Sequence, residues 1–442
     1  MGLQEVLSEA TAKLSVTSLK GMIPDHQNVV FLEHNSSVGH ALQLLAKRHI
    51  LSAPLVILPG LEDMEGADAD GAAAPPQLIG WVTVESILRA FLQQMEEKHG
   101  KLSRNMLLLM TQLEKEGPAF AEKLLITVAG SEDRGLMFQI NSDVPLLEAL
   151  RESFVPAGKP AAHRLAVFDA SGAITAVVSQ LDVIRYLRER LELLGPLADV
   201  TVAELGWADP GSRALVTVEA SLPALVAYER MARAGVSGAP VVADSEAAVG
   251  SGGGTGSGAM IANLSMSDLR NIQTQHLGIL ALPVGEFLAL LHNTTYLGYS
   301  QRTSSQATHP FFASGPPTAL PPGGPRVSAP GSPPLGAGLA RRSSSAAGGA
   351  VAGAGPMDTG AGAGEEGQAE DEGRSGIRML TCNGASTLRE VLSIMSDNRV
   401  HRVYVAAAGQ PPGSPLVVPV GVITPTDILR LLAGTKGPAP KP

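Results

Sequence analysis

Residues Gly421–Leu429 read GVITPTDIL, and the fold is decided by this stretch. Gly-Val-Ile is β-prone, and it ends at Thr424 with Pro425 behind it. A proline just past such a residue pre-sets the first helical turn. Asp427 stands three residues after Thr424, the spacing of a capping box, so a strand should run straight into a helix. Upstream, Leu388, Val391, Leu392 and Met395 fall at i, i+3, i+4 and i+7, which predicts another helix. The apolar run after His401-Arg402 supplies a further strand. The unit is therefore short strand, helix, two strands, helix.

The same order occurs three times earlier. It runs from VVFLEHNSSVGHALQLLAKRHILSAPLVIL to LIGWVTVESILRAFLQQ, then from MFQINSDVPLLEALRESF to HRLAVFDASGAITAVVSQLDVIRYLRE. It returns from ALVTVEASLPALVAYERMARAGVSGAPVVA to MIANLSMSDLRNI. In the second repeat Asp143 is the expected N-cap of a helix carrying Leu146, Leu147, Ala149 and Leu150. The capping pairs are Thr83/Ser86, Ser179/Asp182, Ser265/Asp268 and Thr424/Asp427, with spacings of 96, 86 and 159 residues between successive second members. Removing an insert of about 80 residues before the last unit makes the period nearly uniform. The expected boundaries are 20–96, 125–194, 200–292 and 377–434.

The insert explains the composition. The chain has 442 residues, 49 of them Gly and 32 Pro. That share is about 18%, against roughly 12% in ordinary usage. Most of the excess lies in 300–376, a Gly/Pro/Ala/Ser-rich segment too poor in large apolar groups to offset its ordering entropy, hence an expected disordered insert. GSGGGTGSG, residues 250–258, and the stretch 62–77 read as flexible loops. Within the insert, Arg341-Arg342 precede Ser343, Ser344 and Ser345, a phosphorylation-type pattern.

Net charge is −9, which argues against a broad nucleic-acid-binding face but leaves room for a local basic pocket. The single cysteine, Cys382, excludes an internal disulfide and a cysteine metal cluster. No long apolar run predicts a membrane span, and MGLQEVLSEATAK has no signal pattern; Val6 breaks the myristoylation motif. No nucleophile–base set or metal-ligand spacing predicts an enzyme, and GSGGGTGSG lacks the Lys of a P-loop.

Two elements carry candidate chemistry. A [Ser/Thr]-x-x-Asp start caps a helix; its carboxylate can also accept two hydrogen bonds from a ribose diol, while free N–H groups meet phosphate. His163-Arg164 and His401-Arg402 occupy equivalent places in alternate repeats. Arg forks onto phosphate oxygens, and His adds a donor partly charged near neutrality. Repeats one and three have Ser52-Ala53-Pro54 and Gly238-Ala239-Pro240 there.

With Gly421–Leu429, the four-fold order and the two His-Arg pairs, the chain resembles cystathionine-β-synthase (CBS) domain proteins. In its repeat count it is similar to the γ regulatory subunit of AMP-activated-type kinases and its plant relatives. The resemblance implies an α/β fold of α+β CBS units, paired into two Bateman modules. It implies a non-catalytic, energy-sensing protein with no resident cofactor, whose regulatory ligands are AMP, ADP or ATP. Kinase catalytic and β-type subunits would be its partners, in cytoplasm or nucleus. Ribose-binding acids would be Asp182, Asp268 and Asp427, with hydroxyls from Ser179, Ser265 and Thr424. Phosphate contacts would be His163, Arg164, His401 and Arg402. Ser86 replaces one acid, Ser52 replaces a family arginine, and Lys159–Ala162 lengthen the turn before His163. The alternative is a scaffold of the same fold with no regulatory nucleotide, or with another adenosyl ligand.

Overall fold

Each repeat forms a three-stranded sheet in which the first strand lies beside the second and the second beside the third. In a computed structural model, the structure describes residues 2–23, 27–58, 75–103, 105–129, 139–141, 143–209, 215–243, 258–272, 274–292, 379–409 and 417–436. The insert at 300–376, Ser343–Ser345 and nearly all of both flexible loops lie outside them. The described residues belong to one unit, Met1–Arg302 with Arg374–Pro442.

Helix α1 (Leu3–Leu14) precedes repeat one: β1 (Leu32–Glu33), α2 (Val38–Lys47), β2 (Ser52–Ile57), β3 (Gln77–Thr83) and α3 (Val84–His99). After α4 (Met106–Ala121) and the short α5 (Leu125–Val128), repeat two has β4 (Gln139–Asn141), α6 (Leu146–Glu148), β5 (Arg164–Phe168), β6 (Ile174–Ser179) and α7 (Gln180–Glu189). Repeat three has β7 (Val218–Glu219), α8 (Ala224–Ala234), β8 (Gly238–Val242) and β9 (Met260–Ser265), with α9 (Val284–Leu291) behind. Repeat four has β10 (Thr381–Cys382), α10 (Leu388–Asp397), β11 (Val403–Ala406), β12 (Pro419–Ile423) and α11 (Pro425–Ala433).

In every unit the helix carries the chain between two parallel strands, and a hairpin adds the third. All four hairpins shift register near the far end of the second strand, after Leu55, Val167, Val241 and Val405. Such an extra residue sharpens the local twist, and it recurs at the same place in all four units.

Two helices differ from their expected form. In repeat two, Asp143 is not the N-cap: Pro145 is, and the Leu146 N–H donates to the Thr17 carbonyl at 2.6 Å. A partner from distant chain thus replaces the capping side chain. The helix then widens into a π turn over Ala149–Phe154. In repeat three, the element after Ser265 is a 3₁₀ helix, Met266–Asn271, followed by a second, Thr274–Ala281, rather than an α-helix.

The Thr17 contact belongs to a pattern. Val38 N–H donates to the Lys123 carbonyl, Ala224 N–H to Leu282, and Leu388 N–H to Val200. The segment before repeat one therefore caps a helix of repeat two, and the segment before repeat two caps a helix of repeat one. The second half of the chain follows suit: Val200, ahead of β7, caps the helix of repeat four, and Leu282, between β9 and β10, caps the helix of repeat three. These swaps tie the units as 1 with 2 and 3 with 4.

The large cores join them differently. One cluster collects Leu45, Phe91 and Met95 of repeat one with Tyr228, Leu264 and Phe287 of repeat three. A second collects Leu150, Ile184 and Leu187 of repeat two with Leu392, Ile428 and Leu432 of repeat four. Sheet contacts within a module are smaller, centred on Val56, Leu78, Trp81, Ala166 and Ile174 in the first. Burial of apolar area at about 25 cal/mol per Å² makes these helical cores the main stabilising mass. Each module therefore depends on the other for its helical core.

Candidate functional site

The starts of α3, α7, α11 and the 3₁₀ helix at Met266 converge on one cavity of about 2220 Å³. Its wall carries eight Arg and Lys side chains against four carboxylates among the described residues. A chain of net charge −9 thus concentrates positive charge in this cavity. Anions are drawn to such an enclosure more strongly than total charge suggests.

Of the ten residues expected from sequence, His163, Arg164, Ser179, Ser265, His401, Arg402, Thr424 and Asp427 line this cavity. Asp182 and Asp268 do not, but each accepts the backbone N–H of a lining residue, Ser179 and Ser265. The charge of Asp182 acts on Arg164 and His401, and that of Arg402 acts on Asp268. The two His-Arg pairs, 238 residues apart in sequence, face a common space. The lengthened turn before His163 is accommodated: the Ala162 N–H donates to Phe154, and His163 keeps the strand-entry position.

All four capping boxes form. Each aspartate spends Oδ2 on its cap: the N–H groups of Ser179, Ser265 and Thr424 donate to it at 2.8, 2.8 and 2.9 Å. The Oδ1 atoms differ. That of Asp182 pairs with Arg185 at 3.1 Å, and that of Asp268 lies 3.7 Å from His292 Nε2. Burial raises the Asp268 carboxyl above its usual range, against the Ser265 N–H and the charges of His292, Arg402 and Arg270. In repeat one the Ser86 hydroxyl donates to the Thr83 carbonyl and accepts the Thr83 N–H, so the box closes without an acid. Glu85 beside it lines the cavity and acts electrostatically on His163.

The arginines reach across their modules. Arg164 Nη1 donates to the Ser52 carbonyl of repeat one at 2.7 Å. Arg402 does the equivalent in repeat three, donating to Ser237 Oγ at 3.2 Å, Asn263 Oδ1 at 3.3 Å and the Leu264 carbonyl at 3.4 Å. A Cβ on Gly238 would lie 0.9 Å from Arg402 Nη1, so the missing side chain is the seat of that guanidinium. Ser52 and Gly238 therefore receive the neighbour's arginine; they are more than places where a cation is lacking. Gly238, Ser237, Asn263 and Tyr404, whose hydroxyl donates to Asn263 at 2.5 Å, were not singled out as site residues from sequence. The only signal was the small residue alternating with arginine at one repeat position.

The histidines are not partly charged as expected. Burial first, then Arg402, Arg164 and His163, pushes His401 from 6.5 down to about 4. Burial likewise lowers His163, opposed by Glu85 and a hydrogen bond with Gln180. Both rings are therefore neutral at neutral pH. Between about 6.5 and 4 the unfolded chain binds a proton at position 401 that the folded chain refuses. Stability of the ligand-free protein will therefore fall as pH drops through that window. Melting temperatures from pH 7 to 4 will show the decline, and His401→Gln will flatten part of it.

Residues 377–434 match the CBS domain family. The fold is the mixed α/β fold of CBS domains, and the three upstream units repeat the strand order and capping box of this one. No curated protein sequence matches the chain. Among solved structures, MJ1225 of Methanocaldococcus jannaschii, described as a candidate archaeal homologue of γ-AMPK, aligns at TM-score 0.49 and 11% identity, over 94% of this chain and 99% of its own. PAE2072 of Pyrobaculum aerophilum, a CBS domain protein solved with AMP, aligns at TM-score 0.24 and 15% identity, over 40% and 98%. The CBS-pair protein CBSX2 of Arabidopsis thaliana aligns at TM-score 0.25 and 17% identity, over 40% and 96%. Among the described residues no helix is long and apolar enough to cross a membrane, and no group of His, Cys, Asp and Glu could hold a metal.

Proposed function

We propose that the chain is a non-catalytic regulatory protein that binds adenine nucleotides in CBS clefts opening on the central cavity. In that role it is a γ-like, energy-sensing subunit acting on kinase catalytic and β-type subunits in cytoplasm or nucleus. The observation that carries the reading is the convergence of both His-Arg pairs with the Thr424/Asp427 helix start on one positive cavity. Asp427 would take the ribose diol, as Asp182 and Asp268 would in their own clefts, supported by the hydroxyls of Ser179, Ser265 and Thr424. Arg164, Arg402, His163 and His401 would meet phosphate. Because the helical cores join repeat one to three and two to four, a ligand that prefers one packing of the modules would bias the whole unit. The test is binding of AMP to the intact chain, with a dissociation constant in roughly the micromolar-to-millimolar range of metabolite sites.

One observation favours a scaffold instead: every capping box is closed, so each aspartate already has a structural role. The two readings part at Asp427, whose carboxylate is either a cap alone or a cap that also holds ribose.

A further inference from the structure

Repeats one, two and four share a feature beyond the capping box. Arg89 follows Ser86 by three residues, Arg185 follows Asp182, and Arg430 follows Asp427. Residues three apart are neighbours on one helix face, and all three guanidinium groups line the cavity.

Their engagements differ. Arg89 pairs with Glu85 at 2.7 Å, and Arg185 pairs with Asp182 at 3.1 Å. Arg164 and Arg402 already donate to carbonyl, amide and hydroxyl oxygens of neighbouring repeats. Arg430 stands apart, because its Nε is buried with no hydrogen-bond partner among the described residues. The rest of its guanidinium makes no hydrogen bond or ion pair among the described residues either, so a residue lining the cavity keeps its donors for an arriving anion. Arg430 also lies close enough to His163, on the other module, for its charge to act on that ring. Arg430 and His163 line the same cavity, so one anion in it can meet a guanidinium fork and an imidazole. Asp427, one turn back on α11, stands where the ribose diol of the same ligand would sit, a span comparable with that from the diol to a 5′-phosphate.

We propose that Arg430 is the phosphate-reading residue of the Asp427 cleft, gripping the 5′-phosphate of a nucleoside monophosphate against His163 and so selecting nucleotide over nucleoside. This rests on the nucleotide reading above and deepens it. Arg89 and Arg185, held by carboxylates, must first give up an ion pair to do the same.

The test compares AMP with adenosine, titrated calorimetrically into the intact wild-type chain and into Arg430→Gln, with ligand-free melting temperatures confirming the fold. The expected result is that Arg430→Gln weakens AMP binding at one site by about tenfold or more and changes adenosine binding by less than about twofold. Arg430→Lys keeps the charge but loses the fork, and it is expected to fall between them for AMP; it carries the comparison should the Gln variant fold poorly. The proposal is overturned if Arg430→Gln binds AMP as the wild type does, or loses AMP and adenosine equally. A wild type that binds AMP well while Arg430→Gln is unaffected rejects this assignment alone. A wild type that binds neither compound rejects the nucleotide reading and this proposal together.

Discussion

Gly238→Ala will strip the cavity of Arg402 while leaving the protein folded. The new Cβ would lie 0.9 Å from Arg402 Nη1, 1.8 Å from Cζ and 2.5 Å from Nη2, so the guanidinium must leave. Gly238 has no positive φ, so alanine brings no backbone strain of its own. The obstacle is the tip of a flexible side chain, which can swing away. The bonds to Ser237, Asn263 and Leu264 are lost and partly replaced by water, a cost of about 1 kcal/mol. Binding of a phosphorylated ligand loses a charge-assisted contact and is expected to weaken roughly tenfold to a hundredfold. Denaturant unfolding and AMP titration read the two effects separately. Unchanged AMP affinity in a variant whose Arg402 has moved would remove that arginine from the phosphate site.

The second large effect is expected at Asp427. Its Oδ2 accepts the Thr424 N–H at 2.9 Å and the Thr424 hydroxyl at 2.8 Å. Asp427→Ala removes the acidic half of this box and should cost about 1 kcal/mol, with or without nucleotide. If the carboxylate also holds ribose, the rise in melting temperature that nucleotide gives the wild type will vanish at that site. A cap-only residue would lower both curves equally and leave their separation intact. That outcome would favour the scaffold.

Much of this was legible in the residues. Thr424-Pro425-Thr426-Asp427 specifies a strand-to-helix junction by local chemistry alone, and the same junction could be found at Thr83, Ser179 and Ser265. Periodicity in Leu388, Val391, Leu392 and Met395 showed that a helix face is buried. It could not show against what, because an apolar stripe carries no address; the joining of Leu392 and Ile428 to Leu150 and Ile184 appears only in three dimensions. The same limit hid the exchanged caps at Thr17 and Lys123, where the acceptor is a backbone carbonyl of a remote segment. Asp143 looked like a cap because its residue type is right, but Pro145 and the Thr17 carbonyl occupy that role. The site was half legible. His163-Arg164 and His401-Arg402 stood out by repetition, whereas Gly238 is informative through an absent side chain and Arg430 through an absent partner. The protonation of His401 could not be read at all, since it follows from burial and from Arg164 in another repeat.

The central claim is that this cavity takes an adenine nucleotide, and calorimetric titration of AMP into the intact chain tests it most directly. Saturable heat with affinity in the metabolite range is expected, reduced in Gly238→Ala and in Asp427→Ala. No heat from AMP or ATP, together with an unchanged melting temperature for a folded protein, would contradict it.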